Sequence, residues 1–293
     1  MNKKFLLYLG CTIPTKQYAY EVSARAVLPK LGVELVEFEG ATCCGFPLKG
    51  INKNAWIYMS ARILALAEQY GLPVLALCNG CDVSLRETIF ILNKHPGLKD
   101  EISKMLEEEG LELKNNTRVV HTIELLHDII GVKKIKSLIV KPLTTLKIAS
   151  YPGCHAIRPT EIPRPENAKN PVKIDNIIKA LGGETEDYPD KSGCCGATML
   201  PYDAENAIRI SAGKIRTLKD YGFDAVVTSC PYCMEMLDAK QEIAKSLLED
   251  EELSIPVLYL TQLVGLAIGL KPGELGLDLN MSPVEDILEK IEV

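Results

Sequence analysis

Ten cysteines are the residues of this chain best suited to chemistry, and they fall into two sets of five in one order. Cys11 stands alone, Cys43-Cys44-Gly45 follows, and Cys78-Asn79-Gly80-Cys81 closes the first set. Cys154 stands alone, Cys194-Cys195-Gly196 follows, and Cys230-Pro231-Tyr232-Cys233 closes the second. The lone cysteine precedes its Cys-Cys pair by 32 positions in the first set and 40 in the second, and the pair precedes its Cys-x-x-Cys by 34 and 35. No cysteine is left over, and the shared intervals mark an internal repeat. Structural disulfides, as in a hyperthermophile's cytosol, would account for the even count but not for the spacing. In a reducing compartment, clustered thiols are metal ligands or redox groups more often than disulfides.

Structural zinc takes four ligands in a closed tetrahedron. Five thiols per set exceed that need, and adjacent cysteines such as Cys43 and Cys44 are expected to point apart, toward two different metal atoms. A multi-iron cluster uses the surplus, so the spacing favours iron-sulfur over zinc. The chain lacks the Cys-x-x-Cys-x-x-Cys-x-x-x-Cys-Pro run of cubane ferredoxin sites. Thioredoxin-like exchange at either Cys-x-x-Cys is the alternative reading of those pairs, and it leaves the other six thiols unexplained.

These cysteines are carried by strands that alternate with helices. Strands are expected at 4–9, 33–38, 74–77 and 118–120, with helices at 17–31, 52–70, 82–93, 98–109 and on to 130. The second half repeats the order: strands at 147–150, 225–228 and 257–260, with helices at 175–181, 204–221, 232–248 and 261–270. This pattern predicts an α/β fold of two tandem homologous α/β domains with mostly parallel sheets, related by pseudo-twofold symmetry, over residues 1–141 and 142–293. Sites in such sheets form beyond the C-terminal strand ends, where Cys11, Cys43, Cys44 and Cys78 all fall.

A net charge of −6 over 293 residues gives no sign of nucleic-acid binding. The basic start followed by FLLYLG lacks a small-residue cleavage site and reads as a core strand. The apolar stretch from Ile255 to Leu270 has 16 residues with Thr261 and Gln262 inside, short of the roughly 20 a bilayer needs, so no membrane span and a cytoplasmic location are expected. Two features break the repeat. The loop after Cys154 is longer and carries Pro159, Pro163, Pro165 and Pro171 beside Arg158, Arg164, Lys169 and Lys173, as a lid, a docking surface or a rigid connector. The tail carries Ser282 as N-cap, Pro283 as first helical residue and an apolar stripe of Val284, Ile287, Leu288 and Ile291.

The duplicated pattern resembles the cysteine-rich CCG domain family over nearly the whole chain, and its free-standing form, without a fused ferredoxin segment, is similar to the B subunits of heterodisulfide reductases. The resemblance implies two noncubane [4Fe-4S] clusters, one on Cys11, Cys43, Cys44, Cys78 and Cys81 and one on Cys154, Cys194, Cys195, Cys230 and Cys233. It also implies reduction of the mixed disulfide of coenzyme M and coenzyme B to two thiols. Electrons would then come from the ferredoxin-like C subunit of such enzymes, fed by their flavin-bearing A subunit, in some assemblies with a hydrogenase. Two facing clusters would each take one sulfur and supply one electron. His155, beside Cys154, is the candidate proton donor. His95, His121 and His127 read as structural. Arg158, Arg164, Arg209 and Lys214 are candidate cations for an anionic substrate. The competing readings are an electron-transfer subunit of a fumarate, lactate or glycerol-phosphate system, and a zinc-binding protein.

Overall fold

The computed structural model describes residues 3–292. The first half runs β1 (Lys4–Tyr8), α1 (Ile13–Lys16), α2 (Tyr18–Lys30), β2 (Glu34–Glu37), α3 (Lys53–Tyr70), β3 (Val74–Ala76), α4 (Asn79–Lys94), α5 (Pro96–Glu107) and β4 (Val119–His121). It ends with α6 (Thr122–Glu124), a π-helical stretch over Leu125–Gly131, and α7 (Val132–Lys136). The second half runs β5 (Ile148–Tyr151), α8 (Cys154–Ile157), α9 (Lys173–Ala180), α10 (Ala204–Asp220), β6 (Ala225–Thr228) and α11 (Pro231–Leu237). It closes with α12 (Gln241–Leu248), β7 (Val257–Tyr259), α13 (Leu260–Ala267) and α14 (Glu285–Glu292).

Both sheets are parallel, in the orders β2-β1-β3-β4 and β5-β6-β7. Their central strands are short apolar runs, VLA in β3 and AVVT in β6, buried on every residue. Such strands need helices on both faces, and parallel neighbours need a helical crossover between them, so the α/β alternation of the sequence leaves little choice.

The two halves share one apolar core. It takes in Val27 and Leu28 on α2, Ile148 and Ala149 on β5, and Leu263 and Val264 on α13, while a second cluster around Trp56, Ile63 and Leu64 is built from the first half, with Tyr232 of the second packed against it. At the seam α2 packs against α13. The rings of Tyr20 and Tyr259 stack there at 4.1 Å. Thus the stretch from Ile255 to Leu270 is a strand and a buried helix of the shared core. No helix among the described residues is long and apolar enough to cross a membrane.

Three local expectations change. The helix expected from 82 starts at Asn79, which draws Cys81 into its first turn. The single helix expected over 232–248 is broken at Asp238, whose buried carboxylate accepts the backbone N–H groups of Met281 and Ser282. The tail helix begins at Glu285 and not at Pro283, because the Ser282 hydroxyl is already committed, donating to Asp238 at 2.6 Å and accepting from the Val257 amide at 2.9 Å. The tail packs into the shared core through Val284 and Ile287, and the turn over Pro272–Leu275 that precedes its helix lies against α2 of the first half.

Gly265 on α13 tests the seam. A Cβ there would stand 2.2 Å from Leu275 Cδ2 and 3.0 Å from Val27 Cγ2. Gly265→Val is expected to cost about 1–3 kcal/mol through overpacking. Urea unfolding at unchanged m-value would show it, and an unshifted midpoint would mean that α2 and α13 are not so closely joined.

Candidate functional site

All ten cysteines gather beyond the C-terminal ends of the strands. Cys11 follows β1 and Cys78 follows β3, on either side of the point where the chain order of the first sheet reverses, which is where open α/β sheets form crevices. Cys78 and Cys230 are the N-cap residues of α4 and α11, so Cys81 and Cys233 lie one turn inside each helix. The fold thereby brings both thiols of each Cys-x-x-Cys to a helix N-terminus, where free N–H groups face Cys78 and Cys230.

The sulfurs form one continuous run. In the first set Cys11 meets Cys43, with 3.5 Å between sulfurs, Cys43 meets Cys44, Cys44 meets Cys81, and Cys81 meets Cys78. In the second, Cys154 meets Cys194, Cys194 meets Cys195, Cys195 meets Cys233, and Cys233 meets Cys230. Cys78 and Cys230 lie close enough to shift each other's pKa, which brings the two sets together at their symmetric midpoint. The adjacent cysteines therefore do not point apart as expected from sequence. Gly45 and Gly196, at φ of 78° and 89°, turn the chain back, and their amides donate to Cys43 and Cys194 at 3.4 and 3.3 Å. That turn brings each pair of neighbouring thiols side by side.

A second motif escaped the reading of cysteine spacing. Tyr8-Leu9-Gly10-Cys11 and Tyr151-Pro152-Gly153-Cys154 repeat a Tyr-x-Gly-Cys pattern. The Tyr8 hydroxyl donates to the carbonyl of Thr42, and that of Tyr151 to the carbonyl of Gly193, each at 2.7 Å. Each tyrosine thus braces its lone-cysteine strand against the residue before its Cys-Cys pair. Gly10 and Gly153 have positive φ, and a Cβ would lie 2.6 Å from Cys81 Sγ at the first and 3.1 Å from Cys233 Sγ at the second. Only glycine lets the backbone pass so close to the sulfurs. The tetrapeptide Tyr-x-Gly-Cys occurring twice was the available signal.

Each set lines a narrow hollow that opens to solvent, with about 10 Å³ of room in the first half and 20 Å³ in the second, little more than a water molecule needs. Phe46 of the first half and Tyr232 of the second stand in the walls of both. Their repeat counterparts are Ala197 and Gly80, so one aromatic from each half fills what the repeat leaves vacant. Asn79 crosses into the second hollow, where its amide donates to the Pro152 carbonyl at 2.8 Å. Each half's Cys-x-x-Cys segment therefore helps to wall the other half's hollow.

His155 lies in the wall of the second hollow, with Nδ1 3.6 Å from Cys154 Sγ and its ring edge-on to Phe46 at 4.9 Å. Burial pushes its pKa below the ordinary value, so the ring is neutral at pH 7. The four candidate cations are all committed elsewhere. Arg158 donates to the Ser192 carbonyl, Arg209 pairs with Glu205 on its own helix, and buried Lys214 holds the Asp190 carboxylate at 2.7 Å above the Tyr151 ring. Arg164 is buried on Asp82. None of the four lines either hollow. These ties also decide the long proline-rich loop, which is a fastened connector. His121, buried at the end of β4, accepts from the Ile123 amide, and His127 sits beside Asp128, both outside the hollows.

Crowding dominates the electrostatics. Contact with Cys43 pushes Cys11 up, contact with Cys230 pushes Cys78 up, and contact with Cys44 pushes Cys81 up. In the second set Cys194 raises Cys154 and lifts Cys195 to about 12, while Cys195 raises Cys233. Cys11 pulls Cys43 down, but Cys44 and burial outweigh it. The accepting partners go the other way: Cys43 lowers Cys44, Cys154 lowers Cys194 to about 2, and Cys230 falls despite burial because Cys233 and Cys78 donate to it. So many adjacent buried thiols cannot all ionise unless a strong positive charge lies among them. Among the described residues no three Cys, His, Asp or Glu side chains converge on a point that a single metal ion would occupy. The donor set fits a thiophilic, cationic group spread along the run, which ligates several sulfurs at several places.

A cysteine-rich domain model matches residues 5–86 and again 148–238, the two halves of the repeat. The chain belongs to the cysteine-rich CCG domain family. It is 35% identical over 292 residues to the B subunit of a ferredoxin/F(420)H(2)-dependent CoB-CoM heterodisulfide reductase from Methanosarcina acetivorans, covering 98% of this chain and 97% of that one. It is 36% identical over 283 residues to the membrane anchor subunit of an 8-methylmenaquinol:fumarate reductase from Wolinella succinogenes, covering 96% and 98%. Both relatives are subunits of oxidoreductases. A hypothetical protein from Helicobacter pylori shares the fold with a TM-score of 0.78 at 16% identity; the match covers 97% of this chain and about half, 53%, of that one.

The raised thiols give a pH dependence. Seven of the ten, Cys11, Cys43, Cys78, Cys81, Cys154, Cys195 and Cys233, hold their protons above the ordinary thiol value in the folded chain. Above about pH 8.5 the unfolded chain then binds fewer protons than the folded one, so stability falls as pH rises. The three lowered thiols act below that pH and do not reverse the trend. Chelator-treated, reduced protein should lose urea resistance between about pH 8.5 and 10, more steeply than a variant with Cys154, Cys194 and Cys195 changed to serine. Equal slopes would show that the thiols are not packed together.

Proposed function

We propose that this chain is the catalytic subunit of a heterodisulfide reductase, reducing the mixed disulfide of coenzyme M and coenzyme B to two thiols with electrons from partner iron-sulfur and flavin subunits. Cys11, Cys43, Cys44, Cys78 and Cys81 would hold one [4Fe-4S] cluster, and Cys154, Cys194, Cys195, Cys230 and Cys233 a second, both of noncubane form. The observation that carries the reading is the approach of two equal thiol sets at Cys78 and Cys230, so that two one-electron centres held by them would be neighbours. The near full-length likeness to heterodisulfide reductase B subunits supports it.

Cleaving a disulfide takes two electrons, and an iron-sulfur cluster, when bound, supplies them singly. The residues of the chain do the rest. Phe46 and Tyr232 line both hollows, so a substrate sulfur at either set is bordered by the same two rings, which exclude water from the sulfur-sulfur bond. The second hollow is the more open, with Cys194 exposed at its rim and only Ala197 where the first has Phe46. His155 is the one histidine in either wall, and, neutral at pH 7, its ring beside Cys154 is placed to relay to a thiolate leaving the second hollow a proton that it first takes up from solvent.

The fumarate-type relative supports a second reading, in which the chain hands electrons to a partner and cleaves no disulfide itself. Two measurements separate the readings. Anaerobically purified protein should contain about eight iron atoms per chain on the proposed two-cluster stoichiometry, and single replacement of Cys81 or Cys233 by alanine should remove about half of them and abolish turnover. Zinc in place of iron, or full activity in either variant, would sink the proposal. Full iron with no heterodisulfide reduction under a strong artificial donor would favour the electron-transfer reading.

A further inference from the structure

The long loop after Cys154, eight positions longer than its counterpart in the first half, carries one side chain that reaches across the repeat. Arg164 is 3% exposed, and its Nη2 donates to Asp82 Oδ2 at 2.7 Å and also to the backbone carbonyl of His155. Asp82 follows Cys81 in the first turn of α4 and is fully buried. His155 follows Cys154 on α8, which packs against α4. A single guanidinium therefore contacts the residue next to a first-set cysteine and the residue next to a second-set cysteine.

The anchor on the first-half side is itself held. Asp82 Oδ1 accepts from Arg86 Nε at 2.7 Å, and Arg86 in turn reaches Glu124, which caps the His121 amide at 2.9 Å. Two arginines and two carboxylates make a charge-balanced chain from the loop through α4 to the start of α6. Arginine suits the end of such a chain because its planar fork serves two acceptors at fixed angles, whereas a lysine ammonium is a point charge on a flexible stem.

We propose that Arg164 is a positioning residue that sets the spacing between the two cysteine sets, by tying the turn that carries Cys154 to the helix that begins at Cys78. Its consequence for turnover rests on the paired-cluster reading above; the spacing itself is a property of the folded chain. Arg164 does not touch either hollow, so its replacement should lower kcat and leave KM for the disulfide nearly unchanged.

The test uses the full-length chain, reduced and freed of metal, treated with dibromobimane, which bridges thiols in near contact, with the bridged peptides located by mass. Unaltered protein should give bridges between Cys78 and Cys230 and between Cys11 and Cys43. Arg164→Met should cut the Cys78–Cys230 bridging rate at least tenfold and leave the Cys11–Cys43 rate within twofold, with Arg164→Lys intermediate. Bridging between the sets at the original rate in both variants would overturn the proposal, and so would an equal fall of both bridges, which would signify general loosening. Should the methionine variant fail to fold, the ratio of the two rates in Arg164→Lys decides: an unchanged ratio refutes the tie. Absence of iron from the purified protein would sink the cluster reading but leave these ratios readable.

Discussion

The approach of Cys78 to Cys230 is the constraint on which the rest depends. It places the first cysteines of both Cys-x-x-Cys segments, each at a helix N-terminus, against one another in the interior. Closely packed buried thiols cannot share more than a few negative charges, so the arrangement calls for a cationic partner, and no Lys or Arg among the described residues lines either hollow. The stacked tyrosines at the seam, the shared core of α2 and α13, and the tie through Arg164 all hold the two strand edges face to face so that this approach persists.

The repeat is close in its backbone and departs from itself in its side chains. The tyrosine braces, the glycines beside the sulfurs and the Cys-Cys turns are equivalent in both halves. Phe46 and Tyr232 are not, and they occupy the wall common to the two hollows. An internal repeat gives two like sites at little cost in new structure. The differences then distinguish them: Cys194 is exposed where Cys43 is half-buried, and the imidazole of His155 stands beside Cys154 where Thr12 stands beside Cys11.

The buried charges follow the same logic. Lys214 under Tyr151 and Lys191 on Asp175 hold the second half's loops from below, and Arg164 and Arg86 hold Asp82 between the halves. Each is paired, as a buried charge must be. Cations near the cysteines in sequence are thus spent on structure, which is why proximity along the chain was a poor guide to substrate-binding groups. An anion-binding role would have required an unpaired cation facing a hollow.

The sequence by itself determined the α/β alternation, the parallel sheets, the tandem repeat and the gathering of the ten cysteines at the strand ends, because these follow from periodicity and spacing along one dimension. It also determined family membership, since the repeated cysteine order is read directly. Only the tertiary structure decided that Cys43 and Cys44 lie side by side, that Cys78 meets Cys230, and that Asn79 and Tyr232 each cross into the other half's hollow. It also decided that Arg164 spans the seam and that the helix expected over 232–248 breaks at Asp238 to receive the tail. Each of these depends on which residues distant in the chain become neighbours once the two cores merge, and no local pattern encodes that.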